Sequence, residues 1–380
     1  MIGTTFGITE PTVGGAAEVE CKLAAVRALA ERLGLSAVVL LGADAVAWVT
    51  GGLTNRIESG SPVSAAAVVV TPGAAHVVTA NVELPRLAAE ARLDEFELHA
   101  VDWYEPDGLA RRAAELADAP SAQVGGLGVD IADELVALRL ALQPAERQRL
   151  RALALDTTAA LESAVREWSP GERDVDVQAR LVGSLESAGC FGACVIVGGD
   201  ERVERFRHPL AAGVPVRRLL MAVVVAERHG LHVAATRFAS AGPLPEPVRR
   251  AARAAADVER DVLAATTPSA TYGDVLLELA SAYERAGHPG AWREHYQGGP
   301  VGYRQREFEI VPTQTGIRWF GTAIAAGTAV AWNPSVAGGG KCEDTYLVLD
   351  DGLERLTDSG AWPLEDARPA VLDVASGEAA

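Results

Sequence analysis

Four segments carry most of the side chains able to move a proton or hold a charge. DERVERFRHP sets His208 after an apolar stretch and before Pro209. An imidazole titrates near neutral pH and can give or take a proton, although such a segment also reads as a solvated loop. HVAATRFAS places Arg237 among small residues; a buried guanidinium is costly unless paired, so it either lies at the open end of a sheet or meets an anion. WREHYQGGPVGYRQREFE gathers His295, Tyr296, Gln297, Tyr303, Arg304, Arg306 and Glu307 around three glycines. Glycine lets backbone approach a ligand closely, while the aromatic and ionisable residues supply shape and polarity. AWNPSVAGGGKCEDTYLV brings Trp332 and Asn333 to a strand end and Glu343 and Asp344 to the start of the next strand, with a glycine run between.

The elements that must position these residues follow from periodicity. A helix is predicted over residues 17–33, stopped by Gly34, then a strand over 37–41 and a hairpin of 65–71 and 75–80 around Pro72-Gly73. Helices near 82–93 and 109–116 flank a strand at 96–101, and a strand is expected at 125–130. Residues 17–143 thus read as an α/β domain after a 1–16 extension. Gln143-Pro144 opens helix 145–168; helix 175–188 follows, with strands at ACVIVGG, 219–227 and 232–240. Helices at 246–266 and 273–286 and strands near 307–312, 328–333 and 343–349 repeat the order. The second domain, 144–362, is therefore expected to be two similar halves, and 363–380 a poorly ordered tail.

Composition bounds the function class. At 380 residues the chain has room for two or three domains of roughly 100–200 residues each. Hydrophobic residues make up 49% and charged residues 22%, as in ordinary globular proteins. The net charge of −17 is spread along the chain, which argues against nucleic acid or an anionic membrane as partner. No signal-like start is seen, and the longest apolar runs, such as residues 219–226, are too short to span a bilayer; a cytoplasmic location is expected. The cysteines Cys21, Cys190, Cys194 and Cys342 are expected to be buried thiols, since Cys190 and Cys194 have no second Cys or His pair beside them for zinc.

Taken together, the order and spacing of these segments resemble the family of prolidase, aminopeptidase P, methionine aminopeptidase and creatinase. GADAVAWVTGG at residues 42–52 similarly resembles the creatinase-type first domain. The resemblance covers roughly residues 17–360 and implies an α/β N-terminal domain followed by an α+β "pita-bread" domain. In the metallopeptidases two Asp, one His and two Glu hold a pair of divalent metals. Anchored on Thr236-Arg237, the aspartate positions fall on Val223 and Ala234; the histidine falls on Gly299 and the first glutamate on Asn333. Only Glu343 is kept. A dication pair needs several carboxylates, so no metal and no other cofactor is expected.

What the resemblance implies for function follows from the residues kept. His208 falls where creatinase, which uses no metal, has its general base, and His295 matches a leading family histidine. The chain is expected to be a metal-independent, creatinase-like hydrolase or lyase acting at a C–N bond or an acidic carbon. His208, His295 and Glu343 would be catalytic, and Arg237, Tyr303, Arg306, Trp332, Asn333 and Arg56 would bind substrate. The substrate would be a small anionic or zwitterionic molecule, because Val223 and Ala234 remove acidic lining and arginines surround the cleft. Two alternatives stand beside this: a non-catalytic pita-bread binding or scaffold protein, and a residual Xaa-Pro peptidase. By analogy a homodimer is expected.

Overall fold

The computed structural model describes residues 14–54, 57, 61–313 and 316–380. They form two compact units divided between Arg139 and Leu140. In the first, α1 (Ala16–Leu33) ends at Gly34, whose φ of 66° lets its N–H turn back to the carbonyls of the last helical turn. Then come β1 (Ala37–Gly42), α2 (Ala43–Val49), β2 (Val63–Val70), β3 (Ala75–Ala80), α3 (Leu84–Glu90), β4 (Glu97–Val101), α4 (Gly108–Ala117), β5 (Val124–Gly125) and α5 (Ala132–Arg139). The sheet order is β4-β3-β2-β1-β5. Its central strands are antiparallel, and the outer β4 and β5 run parallel to their neighbours. Val39, Ala67, Val69 and Val78 pack on Ala113 and Ala117 of α4. The strand expected at 125–130 shortens to β5 because Gly126 turns the chain at φ 82° against Val39, whose carbonyl oxygen would lie 2.0 Å from any Cβ there.

The second unit opens with α6 (Pro144–Arg166), capped reciprocally by Gln143 and Glu146. It continues through α7 (Asp174–Ser187), β6 (Phe191–Gly199), α8 (Glu201–Arg205), β7 (Leu219–Arg228), β8 (Leu231–Ser240), α9 (Glu246–Ala265), α10 (Tyr272–Arg285), β9 (Gly298–Val301), β10 (Ala329–Trp332), β11 (Ser335–Val336), β12 (Gly340–Lys341), β13 (Asp344–Leu349), β14 (Gly352–Arg355), β15 (Leu364–Glu365), β16 (Arg368–Pro369) and β17 (Leu372–Asp373). Among the described residues, one four-stranded sheet has the order β17-β8-β7-β6 and another β14-β13-β10-β9. The first is backed by α6 and α7. The second buries Trp332, Tyr346 and Val348 among Val258, Leu279 and Tyr283 of α9 and α10. The sheets meet where β8 faces β13. There the Thr236 N–H donates to the Glu343 carbonyl at 2.8 Å, and Thr345 Oγ1 donates to the Ala234 carbonyl at 2.9 Å.

Two further expectations are corrected. Residues 307–312 are irregular, and the strand of that half is instead β9, drawn from GGPV. Gly298, at φ 102°, lets this strand lie against β10, where a Cβ would come 2.3 Å from the Ala331 carbonyl oxygen. A glycine pair read as a loop signal is here what permits the pairing. Residues 363–380 are built into the unit as well. β17 pairs in parallel with the end of β8, Leu372 is buried, and the Trp362 indole donates to the Ala370 carbonyl at 2.9 Å. The apolar residues among the tail's acids supply that anchorage.

One buried acid in α9 yields a stability prediction. Burial, assisted by the Asp344 charge, pushes the Glu259 carboxyl from 4.5 up to about 8. The folded chain therefore keeps a proton that the unfolded chain loses above pH 4.5, and stability falls as pH rises from about 4.5 towards 8. In Glu259→Gln that slope should vanish. The variant should exceed the parent by about 3 kcal/mol at pH 8 but not at pH 5, as read by urea unfolding at the two pH values.

Candidate functional site

His208 sits in the connection between α8 and β7, and the part of that connection that follows it is pinned by two aspartates. Asp174, fully buried at the start of α7, accepts the N–H groups of Ala212, Gly213 and Val214 at 3.0, 2.8 and 3.1 Å, and Arg202 at 2.8 Å. Asp200 accepts those of Arg217, Arg218 and Leu219 at 2.8, 2.8 and 3.0 Å. His295 is held from the other side of the unit's sequence by Gln297. The Gln297 amide donates to the carbonyls of Trp292 and His295, both at 3.0 Å, and its oxygen accepts from the Tyr283 hydroxyl at 2.9 Å. These anchors bring the two imidazoles together, Nε2 to Nε2 at 3.1 Å.

Their tautomers follow from the partners. His295 Nδ1 lies 2.6 Å from the Tyr296 carbonyl oxygen, which can only accept, so the His295 proton is on Nδ1. Its Nε2 is then an acceptor, and His208 must donate from Nε2. This leaves the lone pair of His208 on Nδ1. Burial drives His295 down from 6.5 to about 3, with the Lys341 charge acting in the same direction. Burial and Lys341 also hold His208 below its ordinary value, partly opposed by Glu343. Both shifts favour the neutral form of the ring.

Lys341 was not singled out in the sequence. It stands in GGGKCED, where a lone cation among glycines reads as a turn, yet it is buried. Its ammonium donates to Asn333 Oδ1 and lies 3.6 Å from Glu343 Oε2, which also accepts from Thr236 Oγ1 at 3.1 Å. Burial lowers the Lys341 pKa while Glu343 resists that shift. Burial raises the nearby Cys194 thiol, with the Glu343 charge adding to the rise.

The positions matched to a metal pair in the sequence are Val223, Ala234, Gly299 and Asn333. Val223 faces Thr236 across the strand pair and Val225 faces Ala234, so Val223 and Ala234 share the sheet face from which Thr236 reaches Glu343. That face is apolar: Val223 clusters with Ile196, Met221 and Phe238. Gly299 has φ 153°, and a Cβ there would meet the Phe308 carbonyl oxygen at 3.0 Å and Arg306 Cδ at 3.5 Å. The arginine stem thus covers the space a histidine side chain would need. Among the described residues, no three His, Cys, Asp or Glu donors converge in this region. In the same region Lys341 Nζ donates to Asn333 and lies 3.6 Å from Glu343 Oε2.

Several site residues expected from sequence do other work. Arg237 is buried and donates to Glu162 at 3.1 Å, Asp344 at 2.9 Å and the carbonyls of Thr236 and Thr357 at 2.9 and 2.7 Å. It ties the sheet to α6, and β8 alternation turns it away from Thr236. Tyr303 is buried and donates to Glu146 at 2.6 Å. Trp332 is fully buried in the α9–α10 core, with its indole N–H on Thr266 Oγ1 at 3.0 Å. Arg306 stays beside Lys341, whose pKa its charge lowers, and donates to the Ala331 carbonyl at 2.7 Å. Arg56 lies outside the described residues. His208, His295, Asn333 and Glu343 are brought around Lys341, whose charge is felt at both imidazoles.

No protein-family model and no curated protein matches the chain in sequence. Solved structures do match in shape. Dipeptidase PepE from Mycobacterium ulcerans superposes with a TM-score of 0.73 at 19% identity, over 91% of this chain and 97% of its own. The prolidase from Pyrococcus horikoshii OT3 gives 0.70 at 16%, over 89% and 98%. The chain has the pita-bread fold. Its first unit and its paired-sheet second unit are both included in these matches. The same pita-bread frame matches the N-terminal domain of the FACT complex subunit SPT16 from Cicer arietinum, with a TM-score of 0.67 at 12% identity, over 96% and 99%. No helix among the described residues is long and apolar enough to cross a membrane.

Proposed function

We propose that this pita-bread protein is a metal-independent enzyme acting at a C–N bond or an acidic carbon of a small amino-acid-like molecule. The observation that carries the reading is the pair of neutral imidazoles, with the His208 lone pair fixed on Nδ1, beside a lysine ammonium in place of a metal-ligand cluster. His208 Nδ1 takes a proton from the substrate or from an attacking water, and returns it to the leaving nitrogen. His295 accepts the His208 Nε2–H bond and fixes the ring. Lys341, with Arg306 nearby, favours negative charge developing on a substrate oxygen, and Glu343 holds that lysine charged. The local positive charge favours a carboxylate-bearing substrate.

The test is turnover of a panel of N-substituted amino acids and Xaa-Pro dipeptides, followed by NMR before and after exhaustive chelation. Turnover should survive chelation unchanged. Loss of activity together with release of two metal equivalents per chain would instead favour an Xaa-Pro peptidase like the structural neighbours.

A recognition module is the second reading, favoured by the fold match to a domain of the FACT complex subunit. Calorimetry against small acids and against peptides separates the two. Heat only with peptides, and no turnover across the panel, would support recognition.

A further inference from the structure

In the first unit, β3 and β4 run parallel at the margin of the face covered by α4, with His76 opposite Glu97 and Val78 opposite His99. Residues two apart on a strand share a face, so His76, Glu97 and His99 all project to the same side. His76 is buried, and its Nδ1 lies 3.1 Å from His99 Nε2 and 3.4 Å from Glu97 Oε2. All three donor atoms fall within 4.8 Å of one another, an arrangement unique among the described residues.

We propose that His76, Glu97 and His99 bind one divalent transition-metal ion of the zinc, cobalt or nickel class. A tetrahedral ion with bonds of about 2.0–2.1 Å sets its ligand atoms roughly 3.3–3.4 Å apart, which is close to the observed spacings. The donor chemistry matches too, two imidazole nitrogens and one carboxylate oxygen, leaving a position for water. A hydrogen-bonded imidazole pair alone does not explain the third group. His76 Nδ1 carries at most one proton, yet both His99 Nε2 and Glu97 Oε2 are turned towards it. A cation satisfies all three at once. Arg112 of α4 opposes a cation through its charge on His99, but that charge is shared with Glu115 at 2.9 Å.

The experiment uses the whole chain, stripped by chelator and dialysed, then titrated with cobalt(II) chloride by visible absorption and with zinc chloride by calorimetry. One equivalent should bind, with cobalt bands that zinc abolishes. His99→Ala should weaken zinc by more than the roughly 10–100-fold that loss of an outer partner costs. Glu97→Gln, at an exposed side chain, should weaken it less and leaves folding out of question. The double variant His208→Ala/His295→Ala should still bind its equivalent. The proposal fails if no saturable site exists, if His99→Ala binds as the parent does, or if only the double variant loses the metal.

Discussion

Alanine at position 208 should cut turnover by about 10²–10⁴-fold, the usual contribution of a positioned acid–base group, without lowering the melting temperature. The side chain is exposed, and its loop is fixed by backbone bonds to Asp174 and Asp200 that the substitution does not touch. The pH profile adds a second readout. His208 must be neutral to act as base, and partial desolvation with the Lys341 charge holds its pKa below 6.5. In the parent, kcat/KM should therefore be flat at pH 7 and fall only on the acid side. A purely structural imidazole would leave no such limb. Parental activity in the alanine variant, or a profile that keeps rising through pH 8, would sink the assignment.

Methionine at position 237 should be the most damaging single change for stability. It strands Glu162 and Asp344, two buried carboxylates that share the Arg237 guanidinium. Breaking a buried ion pair by removing one partner costs about 3–5 kcal/mol. For a unit of this size that corresponds to a fall on the order of 10 °C in melting temperature. A residue that merely gripped substrate would raise KM and leave melting alone. Thermal unfolding beside steady-state kinetics separates the roles, and an unchanged melting curve would return Arg237 to the binding site.

The long elements of both units were legible because period-2 and period-3.6 patterns are strong in segments such as α6, β7 and β8. What escaped was set by pairing and not by pattern. GGPV carries no strand propensity, but β10 leaves room only for glycine at Gly298. The paired imidazoles of His208 and His295 were both visible as chemistry, whereas their contact across 87 residues was not. Arg237, Tyr303 and Trp332 misled because a polar or aromatic residue in a chemically dense segment looks the same whether it meets a ligand or a buried partner. Lys341 escaped for the opposite reason: among glycines a lysine reads as solvated, and only the fold buries it between Asn333 and Glu343.

The two aspartate clamps on the His208 loop carry a thermodynamic consequence. Six backbone amides that follow His208, from Ala212 to Leu219, are already committed to Asp174 and Asp200, so that stretch of the loop is ordered on folding and less ordering remains for the moment of encounter. Asp174→Asn should then silence the protein with its imidazoles intact, the defect lying in a wandering base and not in a missing one.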